Sequence, residues 1–245
     1  MIKTIYNYWF VQLDFPDENG KPYKSSGGKI KNVNGHIIPD NWRICKVQDI
    51  ISNIRTGLNP RDNFTLGSGT IKYITVKNLT TNGTLDFTGC DTIDESARAI
   101  IHNRSDIQKG DILFASIAPL GRCYLIHSEP TAWDINESVF SIRANTDIVT
   151  PSFLYLYFMS DTFIKQATSS STGSIFKGIR INTLLDTELC VPQLSILLKF
   201  ENMIASILSL KDKNCEEILQ LTNIRDWLLP ILMNGQATIE DGYDK

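Results

Sequence analysis

The sequence predicts an α+β fold: a mixed domain of strands and short helices followed by one long helix. Three observations predict it. Short β-branched or aromatic runs, bounded by Gly, Pro, Asn or Asp, recur between residues 71 and 144. Between and after them lie stretches with apolar residues at helical spacing. From Pro192 to Pro230 no proline or glycine intervenes, so an uninterrupted helix over 193–229 fits between them.

Taken in chain order, three regions emerge, at 1–37, 38–192 and 193–245. The first opens on the apolar-aromatic stretch Ile5-Tyr6-Asn7-Tyr8-Trp9-Phe10 and passes into a polar run from Pro16 to Gly28. Turn residues dominate that run and neither the strand nor the helix period is visible, so the region reads as an extended connector. In the second, Val47, Ile50, Ile51 and Ile54 predict a short helix over 46–54, ended by Gly57. Strands are predicted over 71–76, 111–117, 123–127 and 138–144. A helix is predicted over 151–162, with Phe153, Leu154, Tyr157 and Phe158 on one face. The run 169–173 reads as a Ser/Thr/Gly loop, and 183–191 as a turn or strand.

In the third region the helix over 193–229 would span about 50 Å at 1.5 Å per residue. Met203, Ile207, Leu210, Asn214, Glu217, Leu221, Ile224 and Leu228 follow the 4-3-4-3 spacing of a coiled-coil seam. Phe200, Ile204 and Ile218 widen the stripe. Two readings stand: a helix packed on its own domain, or one paired with a partner helix. The length favours the partner. A weak internal echo relates Ile5–Phe10 to Ile224-Arg225-Asp226-Trp227-Leu228-Leu229.

Composition bounds the function. The chain has 245 residues, 42% of them hydrophobic, and no apolar run long enough for a membrane helix. The N-terminus lacks a signal-peptide pattern, so the cytoplasm is the expected compartment. Five scattered cysteines and three distant histidines offer no ligand-pair spacing for a metal. Net charge is −3; residues 43–188 carry 14 basic and 15 acidic side chains, and residues 193–245 carry 5 and 8. Bulk charge therefore does not announce a nucleic-acid binder, and any such face must be a local patch made by folding.

Catalytic signatures are absent. No phosphate-cradling glycine loop ends in Lys-Ser/Thr, and no nucleophile elbow or zinc-protease helix occurs. The Asn/Asp-Pro-Pro-aromatic loop of an amino methyltransferase is missing too. Asp91, Asp94 and Glu95 cluster without the Glu-x-Lys of a nuclease and read as a solvated helix start. A recognition module without a cofactor or metal is expected.

The segments Tyr8-Trp9-Phe10-Val11-Gln12-Leu13-Asp14-Phe15-Pro16, Asn19-Gly20-Lys21-Pro22-Tyr23-Lys24-Ser25-Ser26-Gly27-Gly28 and Leu228-Leu229-Pro230-Ile231-Leu232-Met233-Asn234-Gly235-Gln236 carry a family resemblance. The chain resembles the C-terminal half of the specificity subunit of type I restriction–modification enzymes. Ile38-Pro39-x-x-Trp42 looks like the opening of a target-recognition domain, and Gly173-Ser174-Ile175-Phe176-Lys177-Gly178-Ile179 like the loop near its close. One departure is plain: Ser195-Ile196-Leu197-Leu198 stands where the family usually has a Glu-Gln pair.

The resemblance implies a non-catalytic half-subunit with one target-recognition domain and one long helix. Its implied partners are double-stranded DNA, a methyltransferase subunit and, through the complex, a restriction subunit. The candidate DNA-reading loop is Arg55, Thr56, Asn59 and Arg61; Lys77 and Asn78, Arg122, and Lys177 with Arg180 are further candidates. A homodimer through Met203, Ile207, Leu210, Asn214, Leu221, Ile224 and Leu228 is expected. Two other readings remain open: an assembly scaffold with little DNA affinity, and the recognition piece of a bifunctional enzyme fused upstream.

Overall fold

A computed structural model describes residues 1–169 and 178–235. The chain divides into two compact units, Met1–Glu201 and Asn202–Lys245. In order, the elements are α1 (Ile2–Tyr6, continued by a π turn over Asn7–Val11), β1 (Ile30–Val33), β2 (His36–Pro39), β3 (Arg43–Lys46), β4 (Ile51–Thr56), β5 (Ile71–Ile74), β6 (Asp91–Ile93), α2 (Glu95–Ser105), β7 (Ile112–Ala115) and β8 (Cys123–Leu125). They continue with β9 (Trp133–Ile135), β10 (Val139–Ala144), α3 (Pro151–Phe158), α4 (Asp161–Ser169), α5 (Ile181–Leu185), β11 (Glu188–Val191) and α6 (Leu194–Met233). The predicted α+β class is the class observed.

The first unit is built on a four-stranded antiparallel sheet in the order β4-β10-β7-β8. Pleating sends alternate side chains to opposite faces. On one face Phe114 meets Phe158 and Phe163 of the α3–α4 layer, at ring distances of 5.4 and 5.8 Å. On the other, Leu113 and Val139 join Ile74, Leu79, Ile107, Ile126 and Ile135 in a second apolar cluster. That cluster belongs partly to a three-stranded sheet, β6-β5-β9, in which β5 and β9 run parallel. Two small ribbons, β1-β2 and β11-β3, complete the unit.

The residues expected to form an extended connector are helical at their start and packed into the domain. Tyr6, Trp9 and Phe10 are buried. Phe10 lies 4.8 Å from Phe200 and 5.0 Å from Phe153, edge to face in both cases. Phe15 then stacks between Tyr23 and Trp42, at 4.7 and 5.3 Å. Aromatic pairs of this kind are worth about 0.5–1.5 kcal/mol beyond their burial. What looked like a linker closes one end of the core.

The helix expected over 46–54 is instead a single 3-10 turn, Val47–Asp49, followed by strand β4. The Asp49 carboxylate accepts the Lys46 N–H at 3.0 Å and holds the turn. A short run of isoleucines suits helix and strand alike by period; its β-branched side chains favour the strand once β10 is available to pair with. The helix over 151–162 is two helices, because Ser160 caps the second: its Oγ accepts the Phe163 N–H at 3.2 Å. Within 183–191, the turn is helix α5 and the strand β11. Asp94 caps α2 and accepts the Ala97 N–H at 2.8 Å, as a helix-start reading of that acidic cluster requires. The loop expected over 169–173 lies largely outside the described residues.

The predicted long helix is α6. It does not stop at Pro230 but runs one turn beyond, to Met233. A proline lacks the N–H that would bond four residues back, but Asp226 and Pro230 are both exposed, so water can serve the orphaned carbonyl. Within the first unit Leu197 and Phe200 of this helix are fully buried.

Candidate nucleic-acid interface

Strand directions bring the predicted loops together. Thr56 at the end of β4 opposes Phe140 near the start of β10; Val139 opposes Ala115 at the end of β7; Phe114 opposes Cys123 at the start of β8. These termini share one edge of the four-stranded sheet. Because β5 and β9 run parallel, their C-terminal ends, Ile74 and Ile135, also share an edge. Main-chain bonds join the two edges: Gly57 N–H donates to the Asn136 carbonyl (3.2 Å), and Asn136 N–H to that of Ile74 (2.9 Å). Only glycine fits at 57, since a Cβ there would stand 1.7 Å from the Ile135 carbonyl oxygen.

Further bonds close the rim. Ser116 N–H and Oγ–H both donate to the Ser138 carbonyl, at 3.1 and 2.7 Å. Ile179 N–H donates to the Ser116 carbonyl at 2.7 Å, and Ile117 forms a bridge with Gly178. Arg122 Nη1 donates to the Val76 carbonyl at 2.6 Å. Segments 57–61, 75–78, 116–122, 136–138 and 178–180 thus form one connected rim. It carries Arg61, Lys77, Arg122 and Arg180 against a single carboxylate, Glu137. In a chain of net charge −3, the rim is a local excess of positive charge.

The predicted residues fare differently within it. Arg61, Lys77 and Arg180 are exposed, and none has an ion pair to a described residue. Asn59 is half-buried, and its carbonyl accepts the Asn63 amide at 3.0 Å. Arg55 is exposed and lies 3.8 Å from the Asp106 carboxylate. The Thr56 hydroxyl accepts from Arg104 at 3.2 Å. Asn78 and Arg122, in contrast, are committed internally. Asn78 is buried; its Oδ1 accepts from the Thr75 N–H and hydroxyl, both at 2.9 Å, and its Nδ2 donates to the Asp86 carbonyl at 2.9 Å. Arg122 donates to Val76 and also, through Nε, to the Pro119 carbonyl at 3.3 Å. Burial holds its pKa below the ordinary arginine value. Lys177 lies outside the described residues.

Sequence reasoning missed Arg104 and the ion network behind the loop. Arg143 binds Asp111 through Nε (2.7 Å) and Nη2 (2.9 Å) and reaches Asp106 at 3.3 Å. Burial works against the Asp106 charge, but Gln108, Arg143 and Arg55 outweigh it and hold its pKa below the usual carboxylate range. Elsewhere Asp134, fully buried, accepts from Ser105 at 2.6 Å and lies 3.1 Å from His102 Nδ1; burial pushes its carboxyl up. No sequence signal announces these pairs: Ser105 and Asp134 are 29 positions apart, and Asp106 and Arg143 are 37. Among the described residues no group of His, Cys, Asp or Glu is arranged to hold a metal.

On α6 the seam residues are largely solvent-facing. Met203, Leu210, Asn214, Leu221 and Ile224 are exposed, and Ile207 and Leu228 half-buried. Ile218 and Trp227 are exposed as well. No helix among the described residues is long and apolar enough to cross a membrane.

The fold is that of the specificity subunits of type I restriction–modification systems. The HsdS subunit of Thermoanaerobacter tengcongensis superposes with a TM-score of 0.51 at 18% identity, over 86% of this chain and 53% of that one. The type I S subunit of M. genitalium superposes with a TM-score of 0.52, also at 18% identity, over 78% and 45%. Residues 39–225 match the model described as the type I restriction modification DNA specificity domain, and the chain belongs to that family. A curated relative, the MjaIX specificity subunit of Methanocaldococcus jannaschii, is 21% identical over 240 residues, which are 97% of this chain and 52% of the relative. The chain thus spans about half the length of that relative. Its family is the specificity component of these enzymes, not their catalytic one.

Proposed function

We propose that the chain carries one target-recognition half of a specificity subunit, which reads double-stranded DNA and directs a methyltransferase subunit, and through it a restriction subunit, to the target. The observation that carries this reading is the rim: within a specificity-domain fold, loops distant in sequence are joined there by main-chain bonds. Arg61, Lys77 and Arg180, exposed and without an ion pair to a described residue, project from it. Lys and Arg on such a rim position the protein on phosphates, and side chains between them reach base edges. Arg55, Thr56, Asn59, Arg61, Lys77 and Arg180 are the proposed contacts. Asn78 and Arg122 act behind them, as the internal supports of the loops at 75–78 and 116–122.

Few net phosphate contacts come from a domain that is close to neutral, so the chain alone binds DNA weakly, and the methyltransferase subunit supplies the rest. The exposed stripe on α6 supports a second proposal, that two copies pair through this helix. An assembly scaffold without DNA affinity is the reading to exclude. The test is an electrophoretic mobility shift of duplex DNA by the chain with and without the methyltransferase subunit, together with methylation kinetics. Binding and methylation should require both proteins and fall about tenfold or more in an R61A/K77A variant. Wild-type methylation by that variant would remove the rim from the mechanism.

A further inference from the structure

At the centre of the rim stands an apolar tip. Ile117, Ala118 and Pro119 are all exposed, Ile117 at 41%. A single exposed isoleucine is ordinary; this one is held in place. Its backbone bridges to Gly178, and the residue before it is bonded to both Ser138 and Ile179. From the other side Arg122 takes the Pro119 and Val76 carbonyls with one guanidinium. The tip's polar main-chain atoms are thereby drawn inward and its apolar side chains left outside. A rigid apolar projection of this kind is not needed for the core, since Leu113, Phe114 and Ala115 just before it already fill the buried positions of β7.

The charges beside the tip say what it meets. Lys77 follows Val76, whose carbonyl Arg122 holds; Arg180 follows Ile179, bonded to Ser116. Within 75–78, 116–122 and 178–180 there is no carboxylate. An apolar point flanked by cations complements a nucleic-acid groove, where phosphates line the walls and the 5-methyl group of thymine is the apolar feature of the floor.

Building on the DNA-reading function proposed above, we infer that Ile117 is a specificity-determining residue that packs on the 5-methyl group of a thymine in the target. Arg122 is its positioning residue. The contact is van der Waals only, and it discriminates by the loss of one methyl group.

The experiment replaces each thymine of the target, in turn, by deoxyuridine. The duplexes are bound by the chain assembled with its methyltransferase subunit, the target being the site methylated in the host. At one position the wild type should lose about fourfold in affinity, the value of one buried methyl group. I117A should bind the thymine and uracil duplexes there equally, with an unchanged salt dependence and an unchanged thermal midpoint. R122K should reduce the same thymine-to-uracil ratio while leaving I117A unaffected. Identical profiles for wild type and I117A would overturn the assignment, as would an I117A defect confined to capture of the methyltransferase subunit. Neither result would touch the wider DNA-reading proposal, which R61A/K77A tests separately.

Discussion

The domain and the long helix solve the same physical problem in opposite ways. In Met1–Glu201 most large apolar side chains find cover, and even the opening aromatic segment folds back to supply Tyr6, Trp9 and Phe10 to the core. From Asn202 onward, Met203, Leu210, Ile218, Leu221, Ile224 and Trp227 stay in solvent. The first region is complete within one chain. The second carries an apolar stripe that one chain does not cover, and an isolated helix gains little from propensity alone. Folding of the domain and the proposed pairing of the helix are therefore separable, and substitutions should distinguish them.

The largest effect should come from charging the helix. I207E/L221E should abolish self-association, with a loss of about 3–6 kcal/mol if both side chains are buried between copies. Sedimentation equilibrium at tens of micromolar measures it, and the domain's unfolding transition should not move. A wild-type chain that is monomeric under those conditions would break the comparison. Next, F10A should cost the domain about 3–5 kcal/mol in urea unfolding while leaving the helix association intact. A small effect would return residues 1–15 to the role of a loose connector.

R61A and K77A should each weaken DNA binding by about 1–3 kcal/mol if base edges are touched, or lower the salt slope by about 1 if phosphates are. The matching change at Lys211, on the helix, should do neither. The smallest effect is on stability against acid. Asp106 has its folded pKa depressed, with Arg143 and Arg55 among the causes, so its contribution is present above the unfolded carboxylate pKa and disappears as pH falls through the folded value. D106N should therefore lower stability by no more than about 1 kcal/mol at pH 7 and match the wild type near pH 2. A difference that grows as pH falls would contradict the ion-pair origin.

The strands at 71–76, 111–117, 123–127 and 138–144 were legible because β-branched runs between turn residues leave little choice. The long helix was legible because nothing in its sequence breaks it. The segment 46–54 was not, since Val47, Ile50, Ile51 and Ile54 satisfy a helical period, yet Val47 sits in a 3-10 turn and Ile51 and Ile54 become a strand beside β10. At the rim, the sequence located the loops better than the side chains. Arg122 and Asn78 resemble Arg61 and Lys77 in type and setting, but their hydrogen-bond partners lie on other loops, which one-dimensional spacing cannot reveal. Arg104 was missed for the same reason: Thr56 is 48 positions away.

The bonds that tie the rim together run mainly from main chain to main chain: Gly57 to Asn136, Asn136 to Ile74, Ile179 to Ser116. The side chains of Arg61, Lys77, Ile117 and Arg180 take no part in them. Scaffold and alphabet are therefore inherited separately. A lineage can rewrite the letters at those positions without renegotiating the fold, whereas a methyl group added at Gly57 would wedge its two sheets apart. Under the proposed DNA-reading role, such a molecule is suited to drift between targets by single substitutions, and its least variable residue should be one that touches no target at all.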